Sequence, residues 1–121
     1  MIAEVTDLNN IRTGNVLVDF YTTSCGPCRT MSPILEEIAM EFSHLKVAKV
    51  DVTQNPHMSQ MFGVMSVPTV IFLKNNKVQH IARGLQNKAS LKSMVMQYIN
   101  GQPPPAQDRW LVTKSLANPG E

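Results

Sequence analysis

Apolar residues fall along this chain in blocks of two alternating kinds. Val16-Leu17-Val18-Asp19-Phe20 is an apolar run broken only by Asp19, as expected of a strand covered on both faces. Met31, Ile34, Leu35, Ile38, Ala39 and Phe42 then recur at helical spacing, with Arg29, Ser32, Glu36, Glu37 and Glu41 on the polar side. Pro33 falls inside that helix, where it removes the amide that would bond the Arg29 carbonyl, and a bent axis is expected. Lys46 to Val52 reads as a second strand. Asn55-Pro56 reads as an N-cap and first helical residue, opening a short helix that runs towards Phe62 and stops at Gly63.

The second half of the pattern changes connection type. Thr69 to Leu73 is a third strand, entered directly from Pro68. Lys74-Asn75-Asn76-Lys77 has the polar, left-handed-tolerant residues of a tight turn, so Val78 to Ala82 is expected to return antiparallel. Leu91, Met94, Val95 and Tyr98 mark a closing amphipathic helix with Asn87 as its cap. Alternating strands and helices followed by a hairpin and a helix predict an α/β fold: a central mixed sheet between flanking helices, in three layers. Right-handed crossovers make the parallel part of that topology nearly forced.

Length and composition narrow the picture. At 121 residues, 43% apolar and 17% charged, the chain is one ordinary globular domain. Gly101-Gln102-Pro103-Pro104-Pro105 ends regular structure, which divides residues 1–100, the body, from residues 101–121, a proline-rich spacer and tail carrying Trp110. Trp110 fits a linker-like tail or a docking anchor. A net charge of +2, scattered rather than striped, argues against a nucleic-acid partner. No run approaches the roughly 18 apolar residues of a membrane span, and Met1 to Asn10 lacks a basic start followed by an apolar stretch. A cytoplasmic, monomeric protein without membrane attachment is expected.

The cysteines are the sharpest feature. There are two, Cys25 and Cys28, separated by Gly26 and Pro27. A disulfide closing so small a loop stabilises a fold very little, and a secreted scaffold would spread more cysteines over longer spans. Zinc ordinarily takes four ligands, and His44, His57 and His80 are isolated. Redox chemistry is the reading these spacings favour over a metal site or a structural staple. The pair follows a buried strand and opens a helix, where unpaired amides and the macrodipole favour a thiolate. Cys25 is expected to be the more exposed and the more acidic thiol, attacking a substrate disulfide; Cys28 resolves the mixed disulfide. Pro27 supplies a fixed φ and has no amide to satisfy, and Gly26 keeps the approach open.

Residues 16–100 resemble the thioredoxin family. Val18-Asp19-Phe20 before Cys25-Gly26-Pro27-Cys28 is similar to its first long strand and active site. Ser32-Pro33-Ile34-Leu35 resembles its proline-bent helix, Val47-Ala48-Lys49-Val50-Asp51 its next strand, Val67-Pro68-Thr69 its cis-proline loop and Arg83-Gly84-Leu85 its hairpin-ending glycine. The resemblance implies a protein-disulfide reductase with Cys25 as nucleophile and Cys28 as the buried resolving thiol. It implies Asp19 as the buried carboxylate that helps deprotonate Cys28; an acid in an apolar strand is desolvated, which raises its pKa towards a useful base. Lys49 occupies the position of a lysine near that carboxylate. Pro68 matches the cis-proline, whose turn exposes the backbone of Val67 to an extended substrate, and Gly84 closes the same groove.

Two departures bear on partner choice. Ser24 stands where the family has Trp, removing apolar docking area beside the thiol, and Ser66 stands where a glycine is common. Met61 and Met65 are candidate groove contacts as well as candidate packing residues. The implied partners are disulfide-containing proteins and a thioredoxin-reductase-like electron donor, with no cofactor held by the chain. A disulfide oxidase or isomerase relative is the alternative within the enzymes, though these more often carry His beside the second cysteine. A thioredoxin-fold interaction module with incidental thiols is the alternative outside them.

Overall fold

Strand β2 (Asn15–Tyr21) is the middle of a five-stranded mixed sheet, and its five central residues, Val16 to Phe20, are all buried. A computed structural model of the chain describes residues 2–99. The expected proline-rich spacer and tail, with Trp110, lie outside the described residues. The other strands are β1 (Ala3–Glu4), β3 (Leu45–Asp51), β4 (Thr69–Lys74) and β5 (Lys77–Arg83), in the order β1-β3-β2-β4-β5. β3 runs parallel to β1 and β2, and β4 is antiparallel to β2 and β5. Helices α1 (Gly26–Glu41), α2 (Pro56–Met61) and α3 (Lys88–Ile99), with a 3-10 turn at Leu8–Ile11, cover the two faces.

Alternation along the strands sorts the core into two layers. Val16, Val18, Phe20, Ala48, Val50, Ile71 and Leu73 pack with Ile11, Met58 and Phe62 on the side of α2. Leu17, Val47, Val70 and Phe72 pack with Met31, Leu35 and Ile38 of α1 and Leu91, Met94, Val95 and Tyr98 of α3. Burying each of these large side chains is worth roughly 1.5–3 kcal/mol before chain entropy is set against it. The strand expected to be covered on both faces, Val16 to Phe20, is so covered, and the α/β three-layer class holds.

Local chemistry explains most element ends. Asn75 and Asn76 take φ of 50° and 71°, the left-handed pair of a two-residue hairpin turn. Asn87 Oδ1 accepts the Ser90 amide at 2.8 Å, capping α3 as expected. Asn55 precedes α2, but its side chain does not cap: Nδ2 instead donates to the Asp51 carbonyl at 3.0 Å. Pro33 lies within α1, and Gly63, at φ +67°, follows α2. Among the described residues no helix is long and apolar enough to cross a membrane.

Candidate active site

β2 and β4 are neighbours, and the register sets Phe20 against Thr69. The loop leaving β2 and the loop entering β4 therefore share one end of the sheet. From Tyr21 the chain turns through Thr22, whose carbonyl accepts the Cys25 amide at 3.3 Å. Arg29 Nη1 reaches back to the Thr23 carbonyl at 2.9 Å and ties the loop to α1.

Cys25 is the N-cap of α1, with extended φ of −88° and ψ of 113°. Its Sγ accepts the Cys28 amide at 3.1 Å, the hydrogen bond a capping oxygen ordinarily makes. Gly26 and Pro27 open the helix, and Pro27 brings no amide that would need a partner there. The two cysteines are joined by a disulfide, with Cα atoms 5.2 Å apart. Cys28 is 4% exposed, while Cys25 is half-buried and Ser24, Gly26 and Pro27 are exposed. The outer and inner sulfurs are thus distinguished by burial, as their order in the helix demands.

The facing wall comes from two further loops. The Val67–Pro68 bond is cis, and Thr69 Oγ1 donates to the Ser66 carbonyl at 2.8 Å. Gly84, at φ +87°, donates its amide to the Pro68 carbonyl at 2.9 Å. Only glycine takes that φ without strain. Two residues on, the Gln86 amide meets Met31 Sδ at 3.3 Å, so the loop after β5 is anchored to the second turn of α1. Ser24, Cys25, Ser66, Val67, Pro68 and Gly84 are thereby gathered around one sheet end. Met65 is 96% exposed and packs in no core; Met61 packs against the α2-side core.

Asp19 lies beneath, on the face that α1 covers. It is 1% exposed, and its Oδ1 has no hydrogen-bond partner. Burial is the largest influence on it, followed by the opposing pull of Lys49 and a smaller push from Glu4; its pKa is raised to about 7. Lys49 is its register partner on β3. The Lys49 amine rests 4.5 Å from the centroid of the Tyr21 ring, and the Tyr21 hydroxyl donates to Glu4 Oε2 at 2.6 Å. Burial first, and then that bond to Glu4, push the Tyr21 phenol well above its ordinary range. Sequence reasoning missed Tyr21 and Glu4 as site residues: Ala3–Glu4 is too short to show a period, and Tyr21, one residue past the apolar run Val16 to Phe20, shows its partners only once strand register is known. Among the described residues no group of three His, Cys, Asp or Glu side chains is placed to hold a metal.

The family model described as Thioredoxin matches residues 5–97. The chain belongs to the thioredoxin family. A thioredoxin from Listeria monocytogenes is 40% identical over 103 residues, 82% of this chain and 100% of that protein. A thioredoxin from Chlamydia muridarum is 37% identical over 90 residues, 74% of this chain and 88% of its own. A solved thioredoxin variant from Halobacterium salinarum superposes with a TM-score of 0.76 at 29% identity, covering 80% of this chain and 89% of that one. Plasmodium falciparum thioredoxin gives 0.73 at 26%, covering 80% and 99%. Thioredoxin membership and a half-buried cysteine bonded to a buried one across a helix start make this a dithiol–disulfide oxidoreductase, a protein-disulfide reductase.

Proposed function

We propose that Cys25 is the attacking thiol, Cys28 the resolving thiol and Asp19 the proton acceptor for Cys28 during reduction of protein disulfides. The carrying observation is the Cys25 sulfur at the N-cap of α1, accepting the Cys28 amide at 3.1 Å. In the reduced protein that amide and the helix dipole stabilise negative charge on Cys25. The Cys25 thiolate attacks one sulfur of the substrate, forming a mixed disulfide and releasing a thiolate that takes a proton. Asp19 accepts the proton of Cys28, whose thiolate then attacks Cys25 Sγ. The mixed bond breaks, the Cys25–Cys28 disulfide forms, and the second substrate thiol leaves. Two electrons have passed to the substrate, and a thioredoxin-reductase-like donor returns them.

Substrate binds as an extended segment along Ser66-Val67-Pro68, with the Val67 backbone as its hydrogen-bonding edge and Gly84 leaving room opposite. Ser24 offers little apolar contact, so exposed Met65 and Leu85, 96% and 55% exposed, become the adaptable apolar contacts of the groove. Lys49 supports Asp19, and Gly26 and Pro27 shape the approach to Cys25. Residues 1–100 are the catalytic body and 101–121 an appended tail, and the protein works as a monomer in the cytoplasm, where thiols are kept reduced.

The test is insulin turbidity with dithiothreitol, on the native chain and on Cys25→Ser. Loss of the accelerated rate in the variant supports the assignment; equal rates overturn it. Alkylation of the reduced protein against pH gives a midpoint well below the ~8.5 of a free thiol, and a midpoint at that value removes the helix-start argument.

A further inference from the structure

Glu4, Lys49 and Asp19 form one row across three strands. Glu4 on β1 is the register partner of Lys49 on β3, and Lys49 is the register partner of Asp19 on β2. Opposite charges directly across a strand pair ordinarily attract and contact each other. Here, among the described residues, no ion pair joins Lys49 to Glu4 or to Asp19. Tyr21 takes both partners instead: its ring face receives the Lys49 amine at 4.5 Å, and its hydroxyl occupies Glu4 Oε2 at 2.6 Å. Tyr21 lies two positions beyond Asp19 on the same strand and so on the same face.

We infer that Tyr21 is a positioning residue: it holds Glu4 and Lys49 apart, so that the ammonium charge acts on Asp19 instead of being neutralised across β1 and β3. This rests on the reading of Asp19 as the proton acceptor for Cys28. The geometry gives the ring a task its apolar bulk alone does not. A cation over a tyrosine face keeps its full charge and is only loosely directed, whereas a lysine paired to a carboxylate is nearly cancelled at a third site. The hydroxyl adds the second half, because a carboxylate already accepting a short hydrogen bond is less free to reach the amine. β1 is two residues long and at the sheet edge, and among the described residues the bond from the Tyr21 hydroxyl is what holds the Glu4 carboxylate.

The groups facing Asp19 can be named from each neighbouring element. β3 contributes Lys49 and β1 contributes Glu4. β4 places apolar Val70 opposite it, and α1, on that face, begins with the Cys25–Cys28 pair. Asp51, at the end of β3, bears on Tyr21 and is held by the amide and hydroxyl of Thr53.

The experiment is a carboxyl-carbon NMR titration of Asp19 in the oxidised protein, its resonance assigned with Asp19→Asn. Tyr21→Leu is expected to raise the Asp19 midpoint by roughly half a pH unit, the scale of one solvent-screened charge several ångströms away. Adding Glu4→Gln to Tyr21→Leu is expected to return the midpoint to or below the native value, since no carboxylate then remains to neutralise Lys49. An unchanged midpoint in Tyr21→Leu, or a double variant as high as the single, overturns the inference. If Tyr21→Leu does not fold by circular dichroism, Tyr21→Met carries the same test with a flexible side chain and no ring. The parent reading fails separately: insulin reduction by Asp19→Asn with an unaltered pH profile removes Asp19 as base, whatever Tyr21 does to its titration.

Discussion

Replacing Asp19 by asparagine is predicted to make the protein more stable at alkaline pH, by an amount that grows as pH rises. The carboxyl is 1% exposed, and its pKa is raised from 3.8 to about 7, chiefly by burial. The folded state therefore holds a proton that the unfolded chain releases from about pH 4 upward. This carboxyl's contribution to stability is fully present below the unfolded value. It is lost between there and about pH 7, the reverse of a salt-bridged acid. A separation of about 3 pKa units at 1.36 kcal/mol each makes the total loss about 4 kcal/mol. Between about pH 4.5 and 8.5, where the unfolded side chain is already largely ionised at the lower end, the change is roughly 3 kcal/mol. Asparagine has nearly the same shape and no proton to lose, so the difference between variant and native chain isolates this one group. Guanidinium unfolding of the oxidised proteins at the two pH values measures it. With a slope of about 3 kcal/mol/M, the midpoint difference should widen by roughly 1 M on going to the higher pH. Parallel pH dependences for the two proteins would refute the claim that burial keeps Asp19 protonated, and the proposed base with it. The same variant is expected to slow resolution of the mixed disulfide, so stability and turnover move in opposite directions.

Other expectations follow from single contacts. Cys28→Ser, left with no resolving thiol, is expected to accumulate a covalent adduct with a disulfide substrate; mass spectrometry showing free protein only would contradict the assigned order of attack. Gly84→Val forces a β-branched residue to φ +87° beside the Pro68 carbonyl, costing about 1–2 kcal/mol of stability. It should raise KM for protein disulfides more than for a small one; equal effects on both substrates would count against the groove. Leu35→Ala, at a fully buried position in the α1-side core, is expected to lose about 2–5 kcal/mol by chemical denaturation. Asn76→Gly relieves a φ of 71° and deletes a buried Oδ1 that has no partner. It should gain roughly 0.5–1 kcal/mol, measured as a higher denaturation midpoint.

The long elements were readable because their burial imposes a period. Val16 to Phe20 is covered on both faces and so is almost continuously apolar, and α1 and α3 show their buried stripes at the residues expected. Local chemistry was readable where a residue type suits one local task, as with Asn75-Asn76 at left-handed φ and Asn87 as a cap, while the cis bond at Pro68 was legible through the family resemblance. It was not readable where a side chain has competing partners. Asn55 could cap α2, yet a nearby backbone carbonyl takes its amide instead. β1 has two exposed residues and owes its existence to pairing with β3, which no local pattern records. The site divides in the same way. The Cys25–Cys28 pair and the buried Asp19 announce themselves by spacing and by an acid in an apolar run. Tyr21 and Glu4 acquire meaning only through strand register, which sets residues far apart in sequence side by side.

The central position of β2 has a dynamic consequence. Its amides and carbonyls are bonded to β3 along one edge and β4 along the other, so freeing them means parting the sheet, not fraying an end. Hydrogen–deuterium exchange at Val16 to Phe20 is accordingly a gauge of global unfolding. The sulfur chemistry hangs from the last segment of the molecule to open.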